Sequence, residues 1–264
     1  MEIFIPVLIV GAVALIAGVG LGIANHFFAV KGDERAEAIQ KELPGANCGA
    51  CGYSGCSGYA AALSLDPSVK TNLCVVGGDA VAEKIASILG LDAEKTERRV
   101  AEVMCRGTED CTSRRFAYNG IASCKAQAQL YGGGGACRFG CLGCGDCAAA
   151  CEFGAIAVCR GVAVVDAALC KGCGQCVSAC PKGIITLVLA RPHAEVFCSN
   201  TDKAAATKAV CSAGCLGCKM CAKVCPSDAI TFDGGRAVIS AEKCVSCGKC
   251  AEACKFGVIV SVRE

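Results

Sequence analysis

From Ile3 to Val30 the chain carries no formal charge, and Glu2 and Lys31 bound the run. A helix of that length, at ~1.5 Å per residue, exceeds the ~30 Å hydrocarbon core, so the pattern predicts one N-terminal transmembrane helix. A cleaved signal peptide fits poorly, because no basic region precedes the run and the run is too long. Within it, Gly18 and Gly22 make a small-xxx-small pair that another helix could approach closely. The stretch "GGDAVAEKIASILGLDAEKTERRVAEVMC" then spaces its apolar residues at helical period, predicting amphipathic helices. Near the other end the period falls to two: "AIAVCRGVAVVD" and "AITFDGGRAVIS" alternate around glycine-containing turns and predict two small hairpins. The fold class is α+β.

Charge sets the orientation. Lys31, Arg35 and Lys41 follow the apolar run and only Glu2 precedes it, so everything beyond is predicted to be cytoplasmic, on a single-pass anchor in the cell inner membrane. A net charge of +2 and the lack of a basic run interleaved with aromatics argue against nucleic acid as a partner.

Cysteine content changes the picture most. The chain has 27 Cys in 264 residues, a density that implies either a disulfide scaffold or bound metal clusters. The count is odd and the cysteines fall in tight CxxCxxC runs, which suits thiolates converging on inorganic clusters in a reducing compartment. In "GANCGACGYSGC" Cys48, Cys51 and Cys56 stand among glycines, and Cys74 follows after a short helical segment. Glycines let the backbone wrap closely and turn N–H groups toward sulfur, so this module is read as a [4Fe–4S] site, with structural zinc as the alternative.

A repeat organises the rest. Cys137, Cys141, Cys144, Cys147 and Cys151 recur 74 residues later as Cys211, Cys215, Cys218, Cys221 and Cys225. Cys170, Cys173, Cys176 and Cys180 recur as Cys244, Cys247, Cys250 and Cys254, and the same offset takes Cys124 to Cys198. This reads as duplication of one unit. Each copy holds two CxxCxxCxxxC runs, the bacterial two-cluster ferredoxin pattern in which the fourth cysteine of each run serves the other cluster. That assigns Cys141, Cys144, Cys147 and Cys180 to one cube and Cys170, Cys173, Cys176 and Cys151 to the next. The second copy gives Cys215, Cys218, Cys221 and Cys254, then Cys244, Cys247, Cys250 and Cys225. With the first module this makes at least five [4Fe–4S] clusters, with six or more open.

Seven cysteines stay outside these sets. Cys159 is read as a small core residue. Cys137 and Cys211 either replace Cys144 and Cys218 or join Cys124 and Cys198 in a further site. A sixth site from Cys105, Cys111, Cys124 and Cys137 is a further alternative. No catalytic residue is expected: there are two His, with His26 inside the span and His193 in a Pro-adjacent loop.

The expected boundaries are 1–31 for the anchor, 32–90 for the first module, 91–132 for a helical cysteine-containing connector, 133–192 for the first two-cluster ferredoxin domain and 193–264 for the second. An anchor, a "CGACGYSGC" module and tandem ferredoxin repeats in this order resemble the B subunit of the Rnf complex, a membrane-bound, ion-translocating ferredoxin:NAD+ oxidoreductase. The resemblance implies that the chain accepts electrons from soluble reduced ferredoxin and relays them to partner subunits, with NAD and flavin held elsewhere. It also implies that Cys137 is a candidate ligand, since family members often carry another residue where Cys144 stands. A weak excess of Lys and Arg from Cys137 onward would suit an acidic ferredoxin docking on the repeats. The alternative is a membrane-anchored polyferredoxin serving another reductase or hydrogenase without ion pumping.

Overall fold

The computed structural model describes residues 4–28 and 33–262. A helix, α1 (Phe4–Phe28), comes first. It is followed by a helical module of α2 (Glu34–Glu42), α3 (Cys56–Leu65) and α4 (Gly78–Leu89). Asp33 caps α2 by accepting from Arg35 N at 3.0 Å, and Gly90, in the left-handed region, ends α4. Ile39, Tyr59, Leu63 and Ile85 meet in the module's core, each 2% exposed or less.

Two sheet-and-helix units follow. The first comprises β1 (Arg99–Val103), α5 (Cys124–Ala128), α6 (Asp146–Ala149), β2 (Ile156–Cys159), β3 (Val162–Val165), α7 (Gln175–Ala179) and β4 (Ile185–Leu189). The second comprises β5 (His193–Val196), α8 (Ala204–Val210), α9 (Met220–Lys223), β6 (Ile230–Asp233), β7 (Arg236–Ile239), α10 (Lys249–Glu252) and β8 (Ile259–Val262). In each unit an early strand pairs antiparallel with the last one, β1 with β4 and β5 with β8, and the two middle strands form the expected hairpin. The β2–β3 turn runs through Arg160 and Gly161, both at positive φ, the backbone that a two-residue hairpin of primed type requires. Apolar core and cysteines are shared: Cys147, Cys170 and Cys176 lie in the first core, and Cys215, Cys221 and Cys250 in the second.

Not every expectation is matched by the structure. No helix among the described residues is long and apolar enough to cross a membrane. The side chains of α1 are described over 11–23, and the ends of the expected span at Ile3 and 29–31, with the side chain of His26, lie outside the described residues. The connector expected to be helical contains a strand, β1, because Arg99 to Val103 find backbone partners in β4. Cys159 is exposed on the outer face of its hairpin, not in a core. His193 lies in strand β5 and is 2% exposed, not in a loop.

The repeat is also longer and less regular than a single offset of 74. Met104 N donates to Ile184 O at 2.7 Å, and in the second unit Phe197 N donates to Val258 O at 2.9 Å. Cys105 and Cys198 come next in the chain, at the ends of matching "AEVMC" and "AEVFC" segments. The counterpart of Cys198 is therefore Cys105, 93 residues earlier, and not Cys124. The first copy carries a 19-residue insertion before Cys137, and Cys124 belongs to that insertion.

Candidate iron–sulfur centres

The first module converges its thiols by pinning two loops. Asn47 Oδ1 accepts from Cys56 N at 2.9 Å, closing the loop that carries Cys48 and Cys51. Buried Tyr59 donates its hydroxyl to Lys70 O at 2.7 Å and accepts from Leu73 N at 3.3 Å, which brings Cys74 to the same place. Burial, and then the charges of Cys56, Cys51 and Cys48, push the Cys74 thiol up. The four sulfurs thus form one electrostatic set.

An open groove joins this module to the first unit. It is lined by Cys48 and Cys51 on one side and by Gly172, Cys173 and Gln175 on the other. Gln175 Nε2 donates to Cys48 O at 2.9 Å across it. Cys48 is also one of the charges, with Cys151 and Cys170, that raise the Cys173 thiol after burial has done so. Cys151, Cys170, Cys173 and Cys176 line one small cavity, and burial followed by the other three thiols pushes Cys176 up to about 11. Ala101 N points at Cys170 Sγ from β1 at 3.4 Å.

The neighbouring cavity holds the main surprise. It is lined by Cys124, Cys141, Cys147 and Cys180 and not by Cys144. Burial, then Cys141, Cys124 and Cys180, push Cys147 up to about 11. Cys144 does not line that cavity but stands beside it: its Sγ donates to Gln127 Oε1 at 3.4 Å and its side chain is also hydrogen-bonded to Cys124. Asp146 fixes the intruding cysteine: its carboxylate accepts from Ser123 Oγ at 2.8 Å, Cys124 N at 2.8 Å and Lys125 N at 2.9 Å. Sequence spacing misses Cys124 because it arrives from the insertion; Asp146, inside the CxxCxxC run, could have signalled a partner N-terminus. Gly143 and Gly217 let both copies fold their cysteine loops onto the hairpin turn, since a Cβ there would meet Gly161 O at 2.6 Å and Gly235 O at 2.7 Å.

In the second unit burial first, and then Cys215 and Cys218, push Cys221 up to about 11, while Cys250 is raised by burial and then by Cys244 and Cys247. Cys225, Cys244 and Cys254 pack on the same core. Cys105, Cys137, Cys198 and Cys211 line a further cavity between the units, which neither Cys111 nor Cys124 lines.

Among the described residues no three cysteine sulfurs lie within 4.8 Å of one another, and all 27 cysteines are free of disulfides. Thiols gathered in fours around single cavities suit a four-iron cube. Buried thiolates that raise one another's pKa also need the cationic iron to remain deprotonated.

Fold and site together define an electron-transfer protein of the [4Fe–4S] ferredoxin class, with several clusters on one chain. Family models agree in kind: one described for an Fe-S cluster matches residues 43–76, a 4Fe-4S binding domain matches 163–186, and a 4Fe-4S dicluster domain matches 214–258. The chain belongs to the family of B subunits of ion-translocating ferredoxin:NAD+ oxidoreductase complexes. It is 40% identical over 97% of its length to the B subunit of the Na+-translocating complex of Acetobacterium woodii, covering 77% of that protein. It is 42% identical over 95% to the B subunit of the proton-translocating complex of Clostridium ljungdahlii, covering 89%, and 37% identical over 93% to the B subunit of an ion-translocating oxidoreductase complex of Methanosarcina acetivorans, covering 96%.

Proposed function

We propose that this protein takes electrons from reduced soluble ferredoxin and hands them, along a row of [4Fe–4S] clusters, to partner subunits of a membrane ion-translocating complex. The observation that carries the reading is continuity: cysteine sets adjoin one another from the first module, across the Cys48–Cys173 groove, into the first unit. The ligand sets proposed are Cys48, Cys51, Cys56 and Cys74; Cys151, Cys170, Cys173 and Cys176; Cys124, Cys141, Cys147 and Cys180; Cys215, Cys218, Cys221 and Cys254; and Cys225, Cys244, Cys247 and Cys250. Bound there, the clusters supply one-electron carriers whose potentials depend on exposure and on N–H···S bonds. The chain's own part is to hold them, exclude water and tune them, as Ala101 N does at Cys170 and Ala237 N does at Cys215, at 3.4 Å in each case.

Helix α1 is proposed as the anchor. Val13, Leu15, Ile16, Val19, Leu21 and Ile23 are each more than half exposed, an apolar surface that water does not favour. A Cβ at Gly18 or Gly22 would meet nothing within 4 Å, which leaves that face open to a partner helix. The Lys and Arg that follow put the cluster-bearing part on the cytoplasmic side, where an acidic ferredoxin docks on the repeats.

The test is reduction of the anaerobically purified complex by reduced ferredoxin, followed by the loss of iron–sulfur absorbance. Bleaching of the clusters in this chain is expected. A colourless, zinc-loaded chain, or clusters that ferredoxin leaves oxidised, would sink the reading.

A further inference from the structure

Cys105, Cys137, Cys198 and Cys211 lie outside every segment that the family models match. They also obey a symmetry. Cys105 and Cys198 each stand two residues past the end of matching strands, β1 and β5, and Cys137 and Cys211 each stand four residues before the first cysteine of a CxxCxxC run. Each copy of the duplication therefore contributes the same two thiols. The backbones of Cys105 and Cys198 pair as an antiparallel bridge where the copies meet, and all four residues line one cavity.

The surroundings of these sulfurs are those of a ligand site. Gly107 N donates to Cys105 Sγ and Cys215 N donates to Cys198 Sγ, both at 3.4 Å. Asn200, 2% exposed, donates Nδ2 to Cys137 Sγ at 3.6 Å. Gly107 occupies the position that matches Asn200, and a Cβ added to it would stand 3.4 Å from Cys211 Sγ and 3.7 Å from Cys105 Sγ. A fifth thiol, Cys111, sits at the edge and accepts from Thr108 Oγ1 at 3.4 Å.

We propose that Cys105, Cys137, Cys198 and Cys211 hold a sixth [4Fe–4S] cluster on the pseudo-twofold axis, each copy supplying half of the ligands. The site is wired to both sides. Cys215 N is bonded to Cys198 Sγ, and Cys141 N plays the same part toward Cys105. Cys141 and Cys215 are ligands of the neighbouring cube in each copy. One electron passes from a reduced cube in one unit to this site and on to the other unit, with no bond made or broken and the low-potential ferredoxin as its source. Without it the two ferredoxin units are two separate stores. With it they are one conductor. The inference rests on the [4Fe–4S] reading above and adds a site to it.

The experiment is iron and acid-labile sulfide analysis, with EPR and Mössbauer spectra, on the complex purified anaerobically with this chain at full length. Six cubes give this chain about 24 iron atoms, four per cube, after the partners' share is subtracted. The Cys137→Ser/Cys211→Ser double variant is expected to lose about one-sixth of that iron and the spin coupling between the two units, while Cys111→Ala loses none. An iron content of about 20, zinc in this site, or a double variant with all its iron overturns the proposal while leaving the five-cluster reading intact. A chain without any iron would instead overturn that wider reading. If the double variant fails to fold, the iron count of the unaltered chain still decides.

Discussion

A single residue exchange separates spacing from geometry. In the first unit Cys124, delivered by an insertion, lines the cavity of Cys141, Cys147 and Cys180, and Cys144 faces Gln127. Cys124→Ser is therefore expected to lose one cluster's iron, or to leave a three-iron EPR signal, whereas Cys144→Ser keeps the full iron content. A second residue-scale prediction concerns Glu102. It is 8% exposed, its Oε2 has no hydrogen-bond partner, and polar atoms of His193 and Glu195 from the second unit lie within 4.8 Å of its carboxylate. Burial pushes its carboxyl from 4.5 to about 7, with the charge of Glu195 adding to the rise and His193 opposing it. The folded state binds this proton more tightly than the unfolded state. The stability it contributes is thus full below about pH 4.5 and lost as pH rises through about 7. Glu102→Gln should flatten that dependence and raise stability above pH 7 by about 1–3 kcal/mol, read from melting of the anaerobic protein at pH 6 and pH 8.

Among the elements, the shortest helices carry the most chemistry. Helix α5 spans only Cys124–Ala128, and its start is held by Asp146, the first residue of helix α6. Asp146→Ala removes three hydrogen bonds to a charged acceptor, a loss of roughly 1.5–3 kcal/mol for each if none is replaced. The first unit should then retain the Cys151 cluster and lose occupancy at Cys124, which iron content and EPR would report. The hairpins were legible because alternation and the turn glycines are local signals. Strand β1 was not. Its "RVAEV" continues a helix-like run of Ala, Glu and Arg, and only pairing with β4, some 90 residues away, makes it a strand. The matching "AEVMC" and "AEVFC" segments were visible, but a single offset of 74 hides them behind the insertion.

At the scale of the whole molecule, the two ferredoxin units rest on small sheets and cysteine-rich cores. The sheets among the described residues are two-stranded, and cysteines occupy both of the cores that the sheets enclose. Two-stranded sheets are marginal alone, so the clusters act as the staples of residues 99–262. Removing iron with a chelator under oxidising conditions should unfold both units together. Amide hydrogen exchange would show this as loss of protection in β1 to β8, and an apo chain that kept its protection would contradict it.

The sequence by itself determined the class of protein, because cluster ligands come in short CxxCxxC runs whose meaning is local. It also determined the duplication, the hairpins and the N-terminal apolar segment. Tertiary structure alone decided which fourth thiol lines the cavity of Cys141, Cys147 and Cys180, where the repeat truly begins, and that two pairs of cysteines meet between the copies. The physical reason is common to all three. A cube joins sulfurs that are distant along the chain, and an insertion moves a residue in sequence without moving its place in space.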